Sequence, residues 1–261
     1  MPSSLPPSRP VLLSIAGADP SSGAGLQADL LTGTALGLHV CTVLSAWTVQ
    51  DSRGVRRVQA LAAADVGAQI ETLWADFAIA AVKIGLLGSL ATAQVVLELL
   101  AARPELPVVL DPLWRSGAGE ELASAELLAF LRERLLPRAQ IATPNLPEAC
   151  RISGANSADA AARDWPSEWL LISGGHGPGQ LIDNRLYQRG RLVEQFLQPR
   201  REGEFHGTGC TLSTAIAAGL ALGQEMSAAV AVALNFTHAA VQAAYAPGQG
   251  QYFLDRWQAR P

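Results

Sequence analysis

Residues 11–37 read VLLSIAGADPSSGAGLQADLLTGTALG. The segment opens with an apolar, β-rich run, VLLSIA, and passes through a loop rich in Gly and Ser into a helical pattern near 22–37. An apolar run without polar alternation is typical of a parallel strand that is covered on both faces. The segment therefore predicts a buried strand followed by a helix.

The same alternation continues along the chain. Further β-rich runs are VCTVLSA at 40, AIAAVKIG at 78, PVVLDP at 107, AQIATPN at 139 and WLLISGG at 169. Helical segments lie near 65–76, 89–102, 124–135 and 157–163, and two long Ala-rich helices follow at about 208–222 and 225–244. QLIDNRLYQ and RLVEQFLQ, separated by Arg189 and Gly190, predict a hairpin. The pattern predicts an α/β fold with a mostly parallel sheet and helices on both faces, as a single domain over 10–261 after a loose tail of 1–9.

The composition narrows the class of protein. The chain has 261 residues, of which 49% are hydrophobic, so a substantial core and a complete enzyme domain are both feasible. A net charge of -4 and 19 scattered basic residues predict no nucleic-acid partner. Cys41, Cys150 and Cys210 are widely spaced and odd in number, which fits neither a disulfide framework nor a zinc site and indicates the cytoplasm. The apolar stretch Val11–Ala16 is too short for a membrane span.

Polar residues and glycines gather at the ends of the predicted strands. They are Ala16-Gly17-Ala18-Asp19, Lys83-Ile84-Gly85, Asp111-Pro112, Asn145 with Glu148, and Ser173-Gly174-Gly175-His176. Ligands of open α/β sheets bind beyond the carboxyl ends of the strands. The sequence therefore predicts a binding site along one edge of the sheet.

The sharpest local motif is His206-Gly207-Thr208-Gly209-Cys210, which opens onto a long helix. Glycines let several N–H groups point at one spot, and the positive end of the helix dipole favours an anion there. A phosphate fits such a place, although a helix cap packed tightly against the sheet explains the glycines equally well. The dipole can also lower the pKa of Cys210, whereas the alternative is a small buried core residue.

Two carboxylates at the strand ends suggest a metal. Asp111 ends an apolar strand, and Glu148 stands at a predicted helix start. Mg²⁺ is usually held by one or two carboxylates together with nucleotide phosphates. The alternatives are a turn residue for Asp111 and a favourable helix-dipole contact for Glu148.

Three more polar residues have open roles. Asp29 is expected on the flank of a helix whose Leu26 and Leu30 face the core, where a solvated charge is the plain alternative to a binding role. Gln50 is expected just past the second strand, where its amide could pair with a heterocyclic ring or simply occupy a loop. Lys83, the only lysine, could pair with a carboxylate or extend its stem over apolar surface.

Several common catalytic motifs are absent from the sequence, including those of two large kinase classes. It contains no G-x-x-x-x-G-K-[ST] loop and no H-R-D catalytic loop, and it also lacks H-E-x-x-H and G-x-S-x-G. A kinase with this sequence is therefore neither a P-loop enzyme nor a protein kinase.

Seven segments taken together resemble one known family. They are IAGADPSSGAGLQADL, TVQDSRGV, AVKIGLLGS, VVLDP, TPNLPEA, ISGGH and HGTGCTLSTAIAAGLALG, in that order between about 11 and 222. They are similar to the hydroxymethylpyrimidine and phosphomethylpyrimidine kinases of thiamin synthesis, within the ribokinase-like superfamily. The resemblance implies a ribokinase-like three-layer sandwich that moves a phosphoryl group from ATP to a small pyrimidine. It leaves a homodimer open, a state that superfamily relatives often adopt.

The resemblance also implies roles for individual residues. Gly207, Thr208, Gly209 and Cys210 would form the anion hole, with Cys210 where sugar-kinase relatives have a catalytic aspartate. Mg²⁺ would lie near Asp111 and Glu148, and ATP near Ser173, Gly175, Asn145 and Thr208. The pyrimidine would contact Asp29, Gln50, Leu86, Leu113 and Gly17.

The sequence departs from the family in three places. Many relatives have methionine at the position of Leu86 and lysine at that of Ser173, and the segment 113–117 looks shorter than usual. Without that lysine, Arg115 is a candidate to neutralise the transferring phosphate. Two alternative functions stay open: a pyridoxal-type kinase with the same fold, and a pyrimidine-binding sensor without turnover.

Overall fold

The structure, a computed structural model, describes residues 9–114, 123–175, 177 and 179–259. The predicted tail lies outside these residues except for Arg9, and so do Arg115 and His176. Within the described part of the chain, no helix is long and apolar enough to cross a membrane.

A nine-stranded sheet with the order β3-β2-β1-β4-β5-β6-β7-β8-β9 forms the centre of the fold. The strands are β1 (Val11–Ala18), β2 (His39–Asp51), β3 (Gly54–Ala60), β4 (Ile79–Ile84), β5 (Val108–Leu110), β6 (Ile141–Ala142), β7 (Trp169–Ile172), β8 (Leu181–Gln188) and β9 (Arg191–Pro199). Six neighbouring strands, β2, β1, β4, β5, β6 and β7, run parallel. β3 at one side and β8 and β9 at the other pair antiparallel. The mostly parallel sheet is therefore confirmed.

Helices cover both faces of the sheet. They are α1 (Gly25–Ala35), α2 (Ala63–Asp76), α3 (Leu90–Ala101), α4 (Ala125–Phe130), α5 (Leu146–Ser153), α6 (Ala158–Arg163), α7 (Thr208–Ala221) and α8 (Met226–Gln242). A π-turn and a 3₁₀ turn continue α4 to Arg138, and a small parallel pair joins β10 (Phe205–His206) to β11 (Tyr252–Phe253).

Two apolar clusters, one on each face, hold the layers together. Helices α2 to α6 pack on one cluster, which contains Leu13 of β1, whereas α7 and α8 pack on the other, which contains Leu12. Adjacent strand residues point to opposite faces, so an apolar run such as VLLSIA serves both clusters. The three-layer arrangement agrees with the predicted fold class.

The structure corrects the predicted elements in two places. The second strand is much longer than expected, because β2 continues to Asp51 and turns back as β3, so Gln50 lies within a strand. The helical face of α1 was also predicted wrongly. Leu26 is buried as expected, but Leu30 is 44% exposed and Asp29 points inward with no exposed surface.

Candidate active site

A cavity of about 720 Å³ lies at the carboxyl ends of the parallel strands. Its walls come from the loops after β1 and β4 to β7, from the β2–β3 hairpin and from the amino-terminal end of α7. The predicted site residues that line it are Gly17, Gln50, Leu86, Asp111, Leu113, Asn145, Glu148, Ser173, Gly175, Gly207, Thr208, Gly209 and Cys210. One edge of the sheet thus gathers every predicted site residue except Asp29.

The amino terminus of α7 forms a cradle of backbone N–H groups, which we call the α7 cradle (Gly207–Cys210). Gly207 has a left-handed conformation, with φ of 83°. A Cβ there would lie 1.9 Å from the carbonyl oxygen of Gly23, so only glycine fits. The first bond within the helix runs from Thr211 N–H to the carbonyl of Gly207, and the three preceding N–H groups lack helical acceptors. These groups face the cavity and suit an anion.

A buried aspartate shapes the loop opposite the cradle. Asp19 accepts hydrogen bonds from the N–H groups of Gly23 and Ala24, and His206 Nε2 lies 2.9 Å from its carboxylate. Burial opposes ionisation of Asp19, but these hydrogen bonds, the one with His206 first, outweigh it and hold the pKa below its ordinary value. The pairing of Asp19 with His206 was not predicted, because the two residues are 187 positions apart.

Cys210 lies in the first turn of α7 and is buried. Burial raises the pKa of its thiol to about 11, an effect that the positive charge of Lys83 opposes and that Asp29 and Asp111 reinforce. This high pKa runs against the ionised fraction that was expected near neutral pH, because desolvation of the buried thiol outweighs the attraction of Lys83.

Asp111 and Glu148 form the acidic part of the cavity wall. Both are almost fully buried, and Glu148 also caps α5, because its carboxylate accepts the N–H of Asn145 at 2.8 Å. Burial raises the pKa of Asp111 to about 6, against the attraction of Lys83. Burial and repulsion by Asp111 raise the pKa of Glu148 to about 8. A cation bound to both carboxylates would offset their repulsion and favour their ionised forms.

The donor set fits Mg²⁺. Thr143 follows β6 on the same wall, and its buried hydroxyl has no hydrogen-bond partner among the described residues. No three His, Cys, Asp or Glu side chains converge within the described part of the chain. Two carboxylates and a hydroxyl, without a complete protein cage, suit a metal that shares its ligands with phosphates and water.

Asp29 requires a correction. Its carboxylate does not line the cavity but lies beneath it, within 3.0 Å of Lys83 Nζ through both oxygens. Ser14 and Thr214 donate to the same carboxylate. Asp29 therefore has no free acceptor for a pyrimidine. Of the two roles that the sequence left open for Lys83, the structure shows the ion pair with a carboxylate.

The side of the cavity beside β1 and β2 is narrow and partly apolar. A Cβ on Gly17 would lie 2.9 Å from Leu86 Cδ2, so this glycine makes room for the leucine. Ser45 fixes the backbone of Leu86 by donating to its carbonyl. Gln50 faces the cavity together with Val55 of the unpredicted strand β3. A flat heterocycle with a hydrogen-bonding edge matches these walls.

The opposite side carries the predicted nucleotide residues. Asn145 and Ser173 form a parallel bridge that aligns the loops after β6 and β7. Arg200, which was not predicted, donates to the carbonyls of Gly174, Gly175, Gly177 and Gly179 and so fixes the glycine-rich loop. Through these bonds Arg200 fixes the shape of this wall.

Comparisons with known proteins give one consistent family. The model of the family described as phosphomethylpyrimidine kinase matches residues 19–255. The hydroxymethylpyrimidine/phosphomethylpyrimidine kinase of Streptomyces coelicolor is 39% identical over 254 residues, which cover 94% of this chain and 93% of that protein.

Solved structures agree with this result. Pyridoxal kinase of Bacillus subtilis, an ADP complex, superposes with a TM-score of 0.89 at 28% identity over 97% of this chain and 99% of that one. Phosphomethylpyrimidine kinase of Clostridium difficile gives 0.74 at 33% identity over 86% and 96%. The fold therefore matches kinases of two related small heterocycles.

Proposed function

The chain belongs to the phosphomethylpyrimidine kinase family, and from this premise we propose that it phosphorylates a pyrimidine with ATP in thiamin biosynthesis. The acceptor is the hydroxymethyl group of 4-amino-5-hydroxymethyl-2-methylpyrimidine, the phosphate of its monophosphate, or each in turn. No covalent enzyme intermediate is needed, because positioning and charge neutralisation carry phosphoryl transfer.

One observation carries the proposal: the α7 cradle lies against the carboxylate of Asp111. A Cβ on Gly209 would lie 3.5 Å from Asp111 Oδ2. A phosphoryl group that accepts backbone N–H bonds from the cradle would therefore lie beside a carboxylate suited to a metal. Such fixed donors stabilise charge that develops in the transition state.

In this proposal, different residues bind the nucleotide and the metal. Ser173, Gly175, Asn145 and Thr208 contact ATP, while Asp111 and Glu148 hold Mg²⁺, with Thr143 as a further oxygen donor. When bound, Mg²⁺ offsets the charge of the phosphate oxygens. The chain's own residues orient the terminal phosphate toward the pyrimidine pocket.

The pyrimidine lies between Gln50, Leu86, Leu113 and Gly17 in this proposal. Its hydroxymethyl group points toward Cys210, the residue proposed to take the proton. Because burial raises the pKa of Cys210 to about 11, only a small fraction of the thiol is ionised at neutral pH. The rate should therefore depend on pH through this thiol.

A coupled assay of ADP release tests the proposed reaction. We expect ADP production that depends on the free pyrimidine, on its monophosphate or on both, and no more than slow ATP hydrolysis without them. Tight pyrimidine binding in calorimetry with no ADP would contradict the kinase assignment and leave a sensor. The comparison of the two substrates also identifies the favoured step.

A second candidate is a pyridoxal-type kinase, because the similarity to Bacillus subtilis pyridoxal kinase extends over 97% of this chain. Pyridoxal also carries a hydroxymethyl group on a six-membered ring. Adding pyridoxal to the same assay separates the candidates: kcat/KM should be higher for the pyrimidine. A higher value for pyridoxal would favour this second function.

The proposal also covers the compartment, the domain organisation and the oligomeric state of the enzyme. We infer a cytoplasmic protein, since Cys41, Cys150 and Cys210 are all unpaired. The continuous nine-stranded sheet supports one domain over residues 10–261. A homodimer would be detected by light scattering at micromolar concentration.

A further inference from the structure

Arg256 is a buried arginine behind the α7 cradle. It follows β11 near the end of the described chain and is 4% exposed. Its guanidinium does not line the cavity but touches the other side of its wall. A Cβ on Gly207 would lie 2.9 Å from Arg256 Nη2, which places the charge directly against the cradle's first residue.

The acceptors that Arg256 bonds within the described ranges of the chain are all neutral. Nη2 donates to the carbonyl of Gly23 at 2.7 Å and Nε donates to the hydroxyl of Thr211 at 2.9 Å. A longer bond of 3.5 Å reaches the carbonyl of Leu254. No carboxylate among the described residues pairs with this guanidinium.

The nearby carboxylates already have other partners. Asp19 is bonded to His206 and to loop N–H groups, and Asp29 is paired with Lys83. Burial lowers the pKa of Arg256, yet arginine stays protonated in proteins. Asp29 and Asp19 attract this charge from a distance, but no described carboxylate bonds the guanidinium directly, so an anion bound close to it would stabilise it further.

We propose that Arg256 is a positioning residue whose buried charge, held behind the cradle, raises the affinity of Gly207–Cys210 for the outer phosphates of ATP. The inference rests on the proposed function. The bonds to Gly23 and Thr211 also join the loop after β1 to the first turn of α7. Arg256 would thus support phosphate binding without touching the nucleotide.

Calorimetry with two nucleotides tests this role. AMP-PCP carries the outer phosphates and AMP lacks them, so the ratio of their affinities measures how much the outer phosphates contribute to binding. In Arg256→Met we expect AMP-PCP affinity to fall by about tenfold or more and AMP affinity by less than about threefold. Arg256→Lys keeps the charge and should restore most of the ratio.

Two further variants make the test specific. Arg132→Met removes an exposed arginine beside the helices on the opposite face of the sheet, and should leave the ratio unchanged. If Arg256→Met does not fold, Arg256→Gln replaces it, since an amide can still donate without carrying charge. An unchanged ratio in the folded neutral variant, or equal losses for AMP and AMP-PCP, would overturn the inference.

The outcomes separate this inference from the proposed function. An enzyme that phosphorylates the pyrimidine but shows an unchanged AMP-PCP to AMP ratio in the Arg256 variant overturns the role of Arg256 alone. A reduced ratio in a protein that phosphorylates no pyrimidine overturns the proposed reaction alone.

Discussion

Cys210, Asp111 and Glu148 line the same cavity, and burial raises the pKa of each. Lys83 opposes the rise at Cys210 and Asp111, while Asp29 neutralises Lys83 from below. Burial therefore favours the protonated forms of these three side chains. Binding of a cation to the carboxylates would change this balance, because it favours their ionised forms.

The Cys210 thiol should impose a pH dependence on turnover. Since its pKa is raised to about 11, the thiolate fraction rises as pH rises toward that value. At saturating substrates we expect log kcat to rise with a slope of about 1 between about pH 9 and 10.5, above the titration of the carboxylates. Cys210→Ala should lose this slope and about 10² to 10⁴ in kcat, with little change in Tm. A parent-like kcat and slope in the alanine variant would leave Cys210 as a packing residue.

Glu148→Gln should separate metal binding from folding. The folded-state pKa of Glu148 is raised to about 8, so stability from its protonated form is present at low pH and is lost as pH rises through about 8. Without Mg²⁺ at pH 8.5, the variant should melt at or above the parent temperature, while calorimetry shows Mg²⁺ affinity reduced about tenfold or more. Glu133→Gln, at an exposed glutamate, is the control. Parent-like Mg²⁺ affinity in Glu148→Gln would contradict the metal assignment.

Asp29→Asn should act on stability rather than on pyrimidine binding. The change leaves the ammonium of Lys83 buried without its counter-ion, which costs about 3–5 kcal/mol of unfolding free energy. Denaturant melts should detect this loss, and the double variant Asp29→Asn/Lys83→Met should recover part of it. A stable single variant with a selectively raised KM for the pyrimidine would restore the direct contact first expected.

Sequence reasoning brought short segments with local signals to the cavity, and it missed partners that are distant along the chain. Gly207–Cys210 and Asn145 with Glu148 are short segments whose residue types indicate their surroundings. The ion pair of Lys83 with Asp29 spans 54 positions, and the bond from Arg256 to Gly23 spans 233. No local pattern encodes such contacts, so their geometry came only with the structure.

At the scale of elements, the buried strands and the β8–β9 hairpin were predictable, and the edge strand β3 was not. The parallel strands are apolar runs because both faces are covered. β3 reads GVRRVQA, lies at the edge of the sheet and keeps its two arginines exposed, so it carries no buried-strand pattern. The hairpin that it forms with β2 nevertheless brings Val55 to the cavity wall.

The start of α7 depends on Gly207, and a glycine at its other end provides a control. Gly207 and Gly223 both have a positive φ, of 83° and 76°. A Cβ on Gly207 would clash with the carbonyl of Gly23, whereas a Cβ on Gly223 would meet nothing within 4 Å. Gly223→Ala should cost about 1–2 kcal/mol of unfolding free energy from backbone strain alone. Gly207→Ala should cost more and also abolish AMP-PCP binding. Equal melts and equal AMP-PCP affinity in the two variants would contradict the close fit of the cradle.

At the scale of the whole molecule, the site joins distant parts of the chain. The loop after β1 supplies Asp19, α7 supplies the cradle, and the segment after β11 supplies Arg256. The β2–β3 hairpin is fastened to the carboxyl-terminal segment, because Ser52 bonds Gly250 and Gln251. The cavity therefore forms only when both halves of the chain have folded onto one sheet.

Phosphorus NMR of the complete reaction tests the transfer itself. The protein is mixed with ATP, Mg²⁺ and 4-amino-5-hydroxymethyl-2-methylpyrimidine or its monophosphate, and a reaction without pyrimidine is the control. We predict that the γ-phosphate signal of ATP falls as ADP appears, with an equal gain in a pyrimidine phosphomonoester from the free alcohol or a diphosphate from the monophosphate. Loss of the γ signal to inorganic phosphate alone, or no loss with either substrate, would contradict phosphoryl transfer to the pyrimidine.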